Sequence, residues 1–252
     1  MATEKSRVPA LSRCLEILTY IQNHKQCTKN DLLNDLDLPR SSLYLLLSEM
    51  EKQKLIVTSK SGKIQLWVRL IDLGDSAKQN LNLRSFVTPL LQKLIINCEG
   101  LAAHFGVFDK TKAYYVVKVD NPKSGIVTMS REGLQISLVH SGIGKCLLAY
   151  QKEEIQDLVL DNLDYTPSTK TSITNKRDLK KELIKIREQG WAFDNSEGES
   201  EIRCIAVPVF SDDKILLGAI SIVGTVSSYT DEKLKDVLKK TQDCAKLLTQ
   251  KL

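Results

Sequence analysis

Two short stretches hold the side chains best suited to recognising another molecule. The first, "LDLPRSSLYLLLSEME" (36–51), places Arg40, Ser41 and Ser42 after a proline and ahead of a leucine-rich run. A guanidinium and two hydroxyls at that point suit hydrogen bonding to phosphates or base edges. They equally suit capping of a core helix. The second stretch, "HSGIGKCLLAY" (140–150), is a glycine-containing turn leading into an apolar segment, an arrangement that presents backbone N–H groups to an anion. It is not a nucleotide-binding phosphate loop. That motif needs glycine where Val139 stands and Ser or Thr where Cys146 stands.

The remaining reactive residues are sparse. His24, His104 and His140 are the only histidines, and none forms a His-Glu-x-x-His metal pair. No Gly-x-Ser-x-Gly elbow is present. The six cysteines (14, 27, 98, 146, 204, 244) include no Cys-x-x-Cys pair, which suits reduced thiols better than a disulfide framework or a zinc site. No catalytic residue, metal or cofactor is therefore expected. Two alternatives stay open: a cysteine-based redox response, and a nucleophile formed by Cys146 or Cys204 with His140.

These stretches need elements to position them. The 252 residues suffice for two domains, and no apolar run approaches the roughly 20 residues that span a bilayer. A cytoplasmic protein without membrane association is expected. Net charge is +5, and residues 39–69 concentrate it: Arg40, Lys52, Lys54, Lys60, Lys63 and Arg69 face only Glu49 and Glu51. Such a local basic surface is what phosphate binding requires, although a solvated charged face has the same composition.

Periodicity places three helices and a hairpin in the first seventy residues. Leu11, Cys14, Leu15, Leu18 and Ile21 recur at helical spacing and form one buried stripe. Thr28 with Asp31 starts a second helix that buries Leu32, Leu33 and Leu36. Pro39 opens a third, over about 40–53, whose packing face is Leu43, Leu46, Leu47 and Met50. Arg40, Ser41, Tyr44, Leu45 and Ser48 then lie off that face, with Ser42 at its margin. "KLIVTSK" and "KIQLW", separated by Ser61 and Gly62, form a hairpin carrying Lys60 and Lys63. This order is that of a winged helix-turn-helix, whose third helix enters the major groove of double-stranded DNA.

Beyond it, two helical runs meet at "GDSAKQN" (74–80), the expected joint. "LAAHFGVFD", "AYYVVKVD", "GIVTMS", "IRCIAVPVF" and "LLGAISIVG" read as strands, the last two as a hairpin. "KRDLKKELIKIREQG" is a helix stopped by Gly190, and Thr230 caps a final helix. The second domain is thus α+β with a mainly antiparallel sheet. The expected divisions are 1–69, a helical linker 70–81, and 82–252.

Five collinear segments, "LPRSSLYLLLSEME", "HSGIGKCLLAY", "IREQGWAFDNSE", "RCIAVPVF" and "GAISIVG", resemble the IclR family of bacterial transcription regulators over roughly residues 8–250. The resemblance implies a winged helix-turn-helix, a linker helix and a GAF-like domain that binds a small effector, usually an organic acid. It implies a homodimer or dimer of dimers on palindromic operator DNA, more often a repressor. Carried over residue by residue, the DNA contacts are Arg40, Ser41, Ser42, Tyr44, Leu45 and Ser48, with Lys60 and Lys63 on the wing. The effector contacts are the main chain at Gly142 and Ile143, the side chains of Asp194, Cys204 and Ser221, and Ile136 and Ile202 as apolar wall. The resemblance implies a small carboxylate or sugar acid as the effector. The chain departs from the family pattern at several places. Asp37 stands at a usual glycine, Leu45 at a frequent arginine, Ser196 at a usual glutamate and Glu201 at a usual glycine. Val223 replaces a second pocket serine. These changes point to a less polar pocket and leave Leu45 two roles: against a thymine methyl or against the wing.

Overall fold

A computed structural model of the chain describes residues 6–79 and 83–251. The chain divides into two compact units, 1–82 and 83–252.

In the first unit α1 (Pro9–His24), α2 (Lys29–Asp35) and α3 (Arg40–Lys52) precede a hairpin of β1 (Ile56–Thr58) and β2 (Ile64–Leu66), and α4 (Arg69–Gln79) follows. Thr28 and Asp31 close both bonds of a capping box, the Thr28 N–H donating to Asp31 Oδ2 at 2.7 Å. Cys27 and Ile64 exchange backbone hydrogen bonds, which fastens the helices to the wing. The core joins Leu43, Leu47 and Met50 of α3 to Ile17, Ile21, Leu32, Ile56 and Ile64.

Two expectations need correction here. On α1 the buried pair is Ile17 and Ile21, while Leu11 and Leu15 are 60% and 56% exposed. Apolar residues wrap more than half of this helix, so periodicity alone selected the wrong edge of the stripe. The "GDSAKQ" segment is no joint, because it is helical throughout α4. Its polar residues mark solvent exposure rather than a break. Asn80, Leu81 and Asn82, where the expected linker ends and the second domain begins, lie outside the described residues. Asp37 carries no strain, because the turn before α3 uses no positive φ.

The second unit runs α5 (Arg84–Cys98), β3 (Ala102–Asp109), β4 (Lys112–Asp120), β5 (Gln135–Ile136), α6 (Gly142–Ala149), α7 (Glu153–Leu160) and α8 (Lys176–Gln189). It closes with β6 (Ala192–Asn195), β7 (Ile202–Phe210), β8 (Leu216–Thr225) and α9 (Asp231–Thr249). Six strands form one sheet in the order β5-β4-β3-β8-β7-β6, each strand antiparallel to its neighbours. Strand alternation sends Phe105, Ile205, Val207, Ile220 and Ile222 to one face, under α5 and α9. The opposite face offers Ala113, Ala192, Ala206 and Ala219 to α6, all eight of whose residues are buried.

"GIVTMS" is not a strand. Residues 125–130 are irregular, with Gly125 at φ +66, and Ile126, Val127 and Met129 point outward. The segment is held instead by the Lys118 ammonium, which donates to the carbonyls of Ser130 (2.7 Å) and Thr128 (3.3 Å). Thr230 occupies the N-cap of α9 as expected, but its side chain makes no capping bond.

Gly144 sets how closely α6 lies against the chain that enters it, since a Cβ there would stand 2.0 Å from the Ser137 carbonyl oxygen. Gly144→Ala is expected to destabilise the second unit by about 2 kcal/mol or more, the usual cost of overpacking. Gly74→Ala, in open space on α4, should be neutral or stabilising by up to about 1 kcal/mol. Denaturant unfolding followed by circular dichroism reads both.

Candidate functional site

The outward face of α3 is bare. Its N-cap is Pro39 and no side chain caps it, so neither serine is spent on the helix end. Among the described residues no hydrogen bond or ion pair engages the side chains of Arg40, Ser41, Ser42 or Ser48. Arg40, Ser41, Tyr44, Leu45 and Ser48 are exposed and Ser42 is half-buried at the margin. Leu45 is 73% exposed, so it does not pack against the wing. The Tyr44 ring is flanked by two cations, Lys29 Nζ at 5.1 Å and the Arg40 guanidinium at 5.7 Å from its centroid. Lys29, from the start of α2, is a member of this face that sequence pattern did not single out.

Lys60 and Lys63 sit exposed on the turn between β1 and β2. That turn is tightly built. Ser59 N–H donates to the Lys63 carbonyl at 2.8 Å, the Ser59 hydroxyl accepts from Lys63 N–H at 3.1 Å, and Gly62 takes φ +79. A left-handed φ is what requires glycine there. The helix end and the wing therefore present uncompensated positive charge.

In the second unit a cavity of about 320 Å³ opens at the N-terminus of α6. Its floor comes from four adjacent strands, β3 giving His104, β8 Ser221, β7 Cys204 and β6 Asp194. Register explains the cluster: His104 pairs with Ser221, and Cys204 pairs with both Val223 and Asp194, so period-2 alternation aims all of them at one face. His104 Nδ1 lies 3.2 Å from Ser221 Oγ, and its Nε2 lies 2.7 Å from Ser130 Oγ, which in turn meets Thr128 Oγ1 at 3.0 Å. The Tyr115 ring stands 4.8 Å from the imidazole, centroid to centroid.

Ser141 caps α6, its hydroxyl accepting the Gly144 N–H at 3.1 Å. The N–H groups of Gly142 and Ile143 remain as the helix-end donors, and that of Ile143 faces the Cys204 sulfur. A Cβ on Gly142 would stand 3.3 Å from the Cys204 carbonyl and 3.4 Å from Asp194 N, so glycine lets the helix end rest on β6 and β7.

The charges here are arranged unusually. Lys145 is fully buried, but it is paired with Glu197 and donates to the Phe193 carbonyl at 2.9 Å. Among the described residues no lysine or arginine lines the cavity. Burial therefore pushes the Asp194 carboxyl up to about 7, although its Oδ1 accepts the Glu197 N–H at 2.8 Å. Burial, with Lys118 nearby, pushes His104 down to about 3, so its ring is neutral. Burial likewise raises the thiols of Cys204 and Cys146 and the Tyr115 phenol. At neutral pH the floor holds neutral hydrogen-bonding groups and one acid near its midpoint.

Gly142, Ile143, Asp194, Ile202, Cys204 and Ser221 thus come together around one cavity. Ile136 does not. It is 1% exposed, in the core beneath α6, because the strand sends Gln135 to the lining and its neighbour inward. The lining is also hydroxyl-rich despite Val223, since Tyr115, Thr128, Ser130, Ser137, Ser141 and Ser168 all reach it. His104 was the main omission. Its signal was present: a lone polar residue in the apolar alternation of "LAAHFGVF".

Residues 76–250 match the family model described as Bacterial transcriptional regulator IclR C-terminal. The chain is 37% identical over 249 residues to the HTH-type transcriptional regulator RhmR of Escherichia coli (strain K12), covering 99% of this chain and 95% of that protein. It is 26% identical to the transcriptional repressor IclR of the same organism, covering 93% and 86%. Among solved structures, an IclR homologue from Microbacterium hydrocarbonoxydans complexed with 4-hydroxybenzoate shares the fold, with a TM-score of 0.78 at 18% identity over 96% of this chain and 98% of that one. Its α+β architecture, the order of its elements and these matches agree: the chain belongs to the IclR family of bacterial transcriptional regulators.

Proposed function

We propose that the protein is an effector-controlled repressor that binds operator DNA through α3 and the β1–β2 wing. The observation that carries this reading is the coexistence, in one chain, of a bare cationic helix face and a hydroxyl-lined cavity at a helix N-terminus. Arg40, Ser41, Ser42, Tyr44, Leu45 and Ser48 face the major groove or its phosphates, and Lys60 and Lys63 meet the backbone. Exposed Leu11 and Leu15 on α1 and Ile71 and Leu73 on α4 support assembly as a homodimer or dimer of dimers.

The effector is a small carboxylate, with a sugar acid favoured by the hydroxyl-rich lining. Its carboxylate accepts the N–H groups of Gly142 and Ile143. Its hydroxyls meet Ser221, Ser130 and His104, and Ile202 and Val223 supply apolar wall. A protonated Asp194 donates to such a ligand rather than repelling it. The effector shifts DNA affinity by as much as it favours one arrangement of the chain over another. The redox and Cys–His alternatives lose support: the thiols of Cys146 and Cys204 are held protonated by burial, and the hydrogen bond of His140 Nε2 is to the Ile173 carbonyl.

Between pH 3.8 and about 7 the folded chain holds a proton on Asp194 that the unfolded chain has released. Stability from this group is present at low pH and lost as pH rises through that window. His104 has the opposite sense: the unfolded ring gains a proton below pH 6.5 while the buried ring stays neutral to about 3, so stability falls on acidification. Asp194→Asn removes only the first effect. The difference in unfolding free energy, variant minus wild type, should therefore rise by about 1.4 kcal/mol per pH unit between pH 4 and 7, then level off. Urea titrations across that range measure it, and a flat difference refutes the proton on Asp194.

Arg40→Ala should weaken operator binding and lower the slope of log affinity against log salt by about 1, with the helical spectrum unchanged. Equal affinity at moderate salt removes Arg40 from the interface. A thermal-shift panel of hydroxy- and keto-carboxylates on the full chain tests the cavity. A ligand at a hundredfold its dissociation constant stabilises by about 2.7 kcal/mol, and Ser221→Ala should abolish that stabilisation. Stabilisation that survives the substitution puts the effector elsewhere, and turnover of the ligand favours an enzyme.

A further inference from the structure

We infer that Leu45 is a specificity residue that reads the 5-methyl group of a thymine in the operator. The inference rests on the proposal that α3 enters the major groove, and it adds which base lies beneath that face.

Leu45 stands on α3 opposite its packing residues Leu43, Leu47 and Met50, which are at most 4% exposed. On the helix surface it shares a row with Ser41 and Ser48, at i−4 and i+3. Tyr44, held between Lys29 and Arg40, flanks that row. A large aliphatic side chain, 73% exposed, is thus bordered towards the helix start by hydroxyls and by cations that, among the described residues, have no carboxylate partner, while Glu49 at i+4 is engaged by Lys52 and Gln53.

A protein partner would meet an isolated leucine within a cationic, hydroxylated face, and no contiguous apolar patch surrounds it there. DNA fits the whole face. Phosphates match Arg40 and Lys29, base edges match the serines, and one group in the major groove is apolar, the thymine methyl. Any other base edge under Leu45 would lose its water to a side chain that offers no hydrogen bond, which disfavours binding. The leucine thus both attracts thymine and penalises its competitors.

The experiment uses the full chain and a random duplex pool. After selection, each thymine of the enriched duplex is replaced singly by deoxyuridine, which deletes only the methyl, and affinity is read by fluorescence anisotropy. For the wild-type chain, deoxyuridine at one position per half-site should weaken binding about three- to fivefold, the transfer value of one methyl group. Leu45→Ala should bind the thymine duplex more weakly by a similar factor and show no further loss with deoxyuridine. Leu45→Gln, which keeps the length but offers an amide, should likewise lose the methyl dependence. If no thymine shows the effect, or if it persists in Leu45→Ala, the assignment falls. If Leu45→Ala instead changes the sedimentation coefficient, the leucine packs against another copy and the assignment also falls. Failure of the wider reading is distinct: either no duplex is enriched, or Arg40→Ala binds the enriched duplex as well as wild type.

Discussion

The closeness of α6 to the sheet is the constraint on which the second unit depends. Alanines at 113, 192, 206 and 219 flatten the sheet face, and glycines at 142 and 144 remove the methyls that would otherwise meet Cys204, Asp194 and Ser137. The helix end can then touch the strands directly. Its N–H groups point at a floor assembled from β3, β8, β7 and β6, and one cavity receives both backbone donors and side-chain partners. Lys145 secures the seating. Its ammonium is taken wholly out of water and must be satisfied by Glu197 and the Phe193 carbonyl. Asp194 feels the attraction of Lys145 and the repulsion of Glu197 together, so burial dominates and holds the acid near neutrality. Packing and electrostatics in this region are one arrangement.

Much of the fold could be read from pattern because its signals were local. The α3 face followed from Leu43, Leu47 and Met50 at helical spacing, the wing from β-prone runs around Gly62, and the end of α8 from Gly190 at φ +84. The failures share a cause. On α1 apolar residues covered two edges of the helix, and only tertiary packing chose Ile17 and Ile21. In "GIVTMS" β-branched composition suggested a strand, but the segment is tied to β4 through the Lys118 side chain, while β5 pairs with β4 only at Ala113 and Tyr114.

The site was legible in parts and for different reasons. Gly142, Ile143, Asp194, Ile202, Cys204 and Ser221 were named by resemblance, and strand register shows why they meet. Ile136 was misplaced because adjacent strand residues point oppositely, so an error of one position exchanges lining for core. His104 and Ser130 could not be paired from sequence, because nothing local links a strand residue to an irregular segment 26 positions later. Lys29 belongs to the α3 face through its reach over Tyr44, which depends on how α2 packs and on no motif.

The order of strands has a consequence for how the cavity comes into being. β3 is the first strand of the sheet and β8 the last, yet they are neighbours at its centre. His104 and Ser221 are 117 positions apart and in contact. Closing so long a segment carries a large entropic penalty that only the finished sheet offsets. During synthesis, therefore, no partial version of the cavity exists. A chain released short of β8 lacks the centre of its sheet, while the winged unit, complete in the first seventy residues, has long since emerged. The winged unit is thus complete early in the chain, and the cavity only once β8 has joined β3.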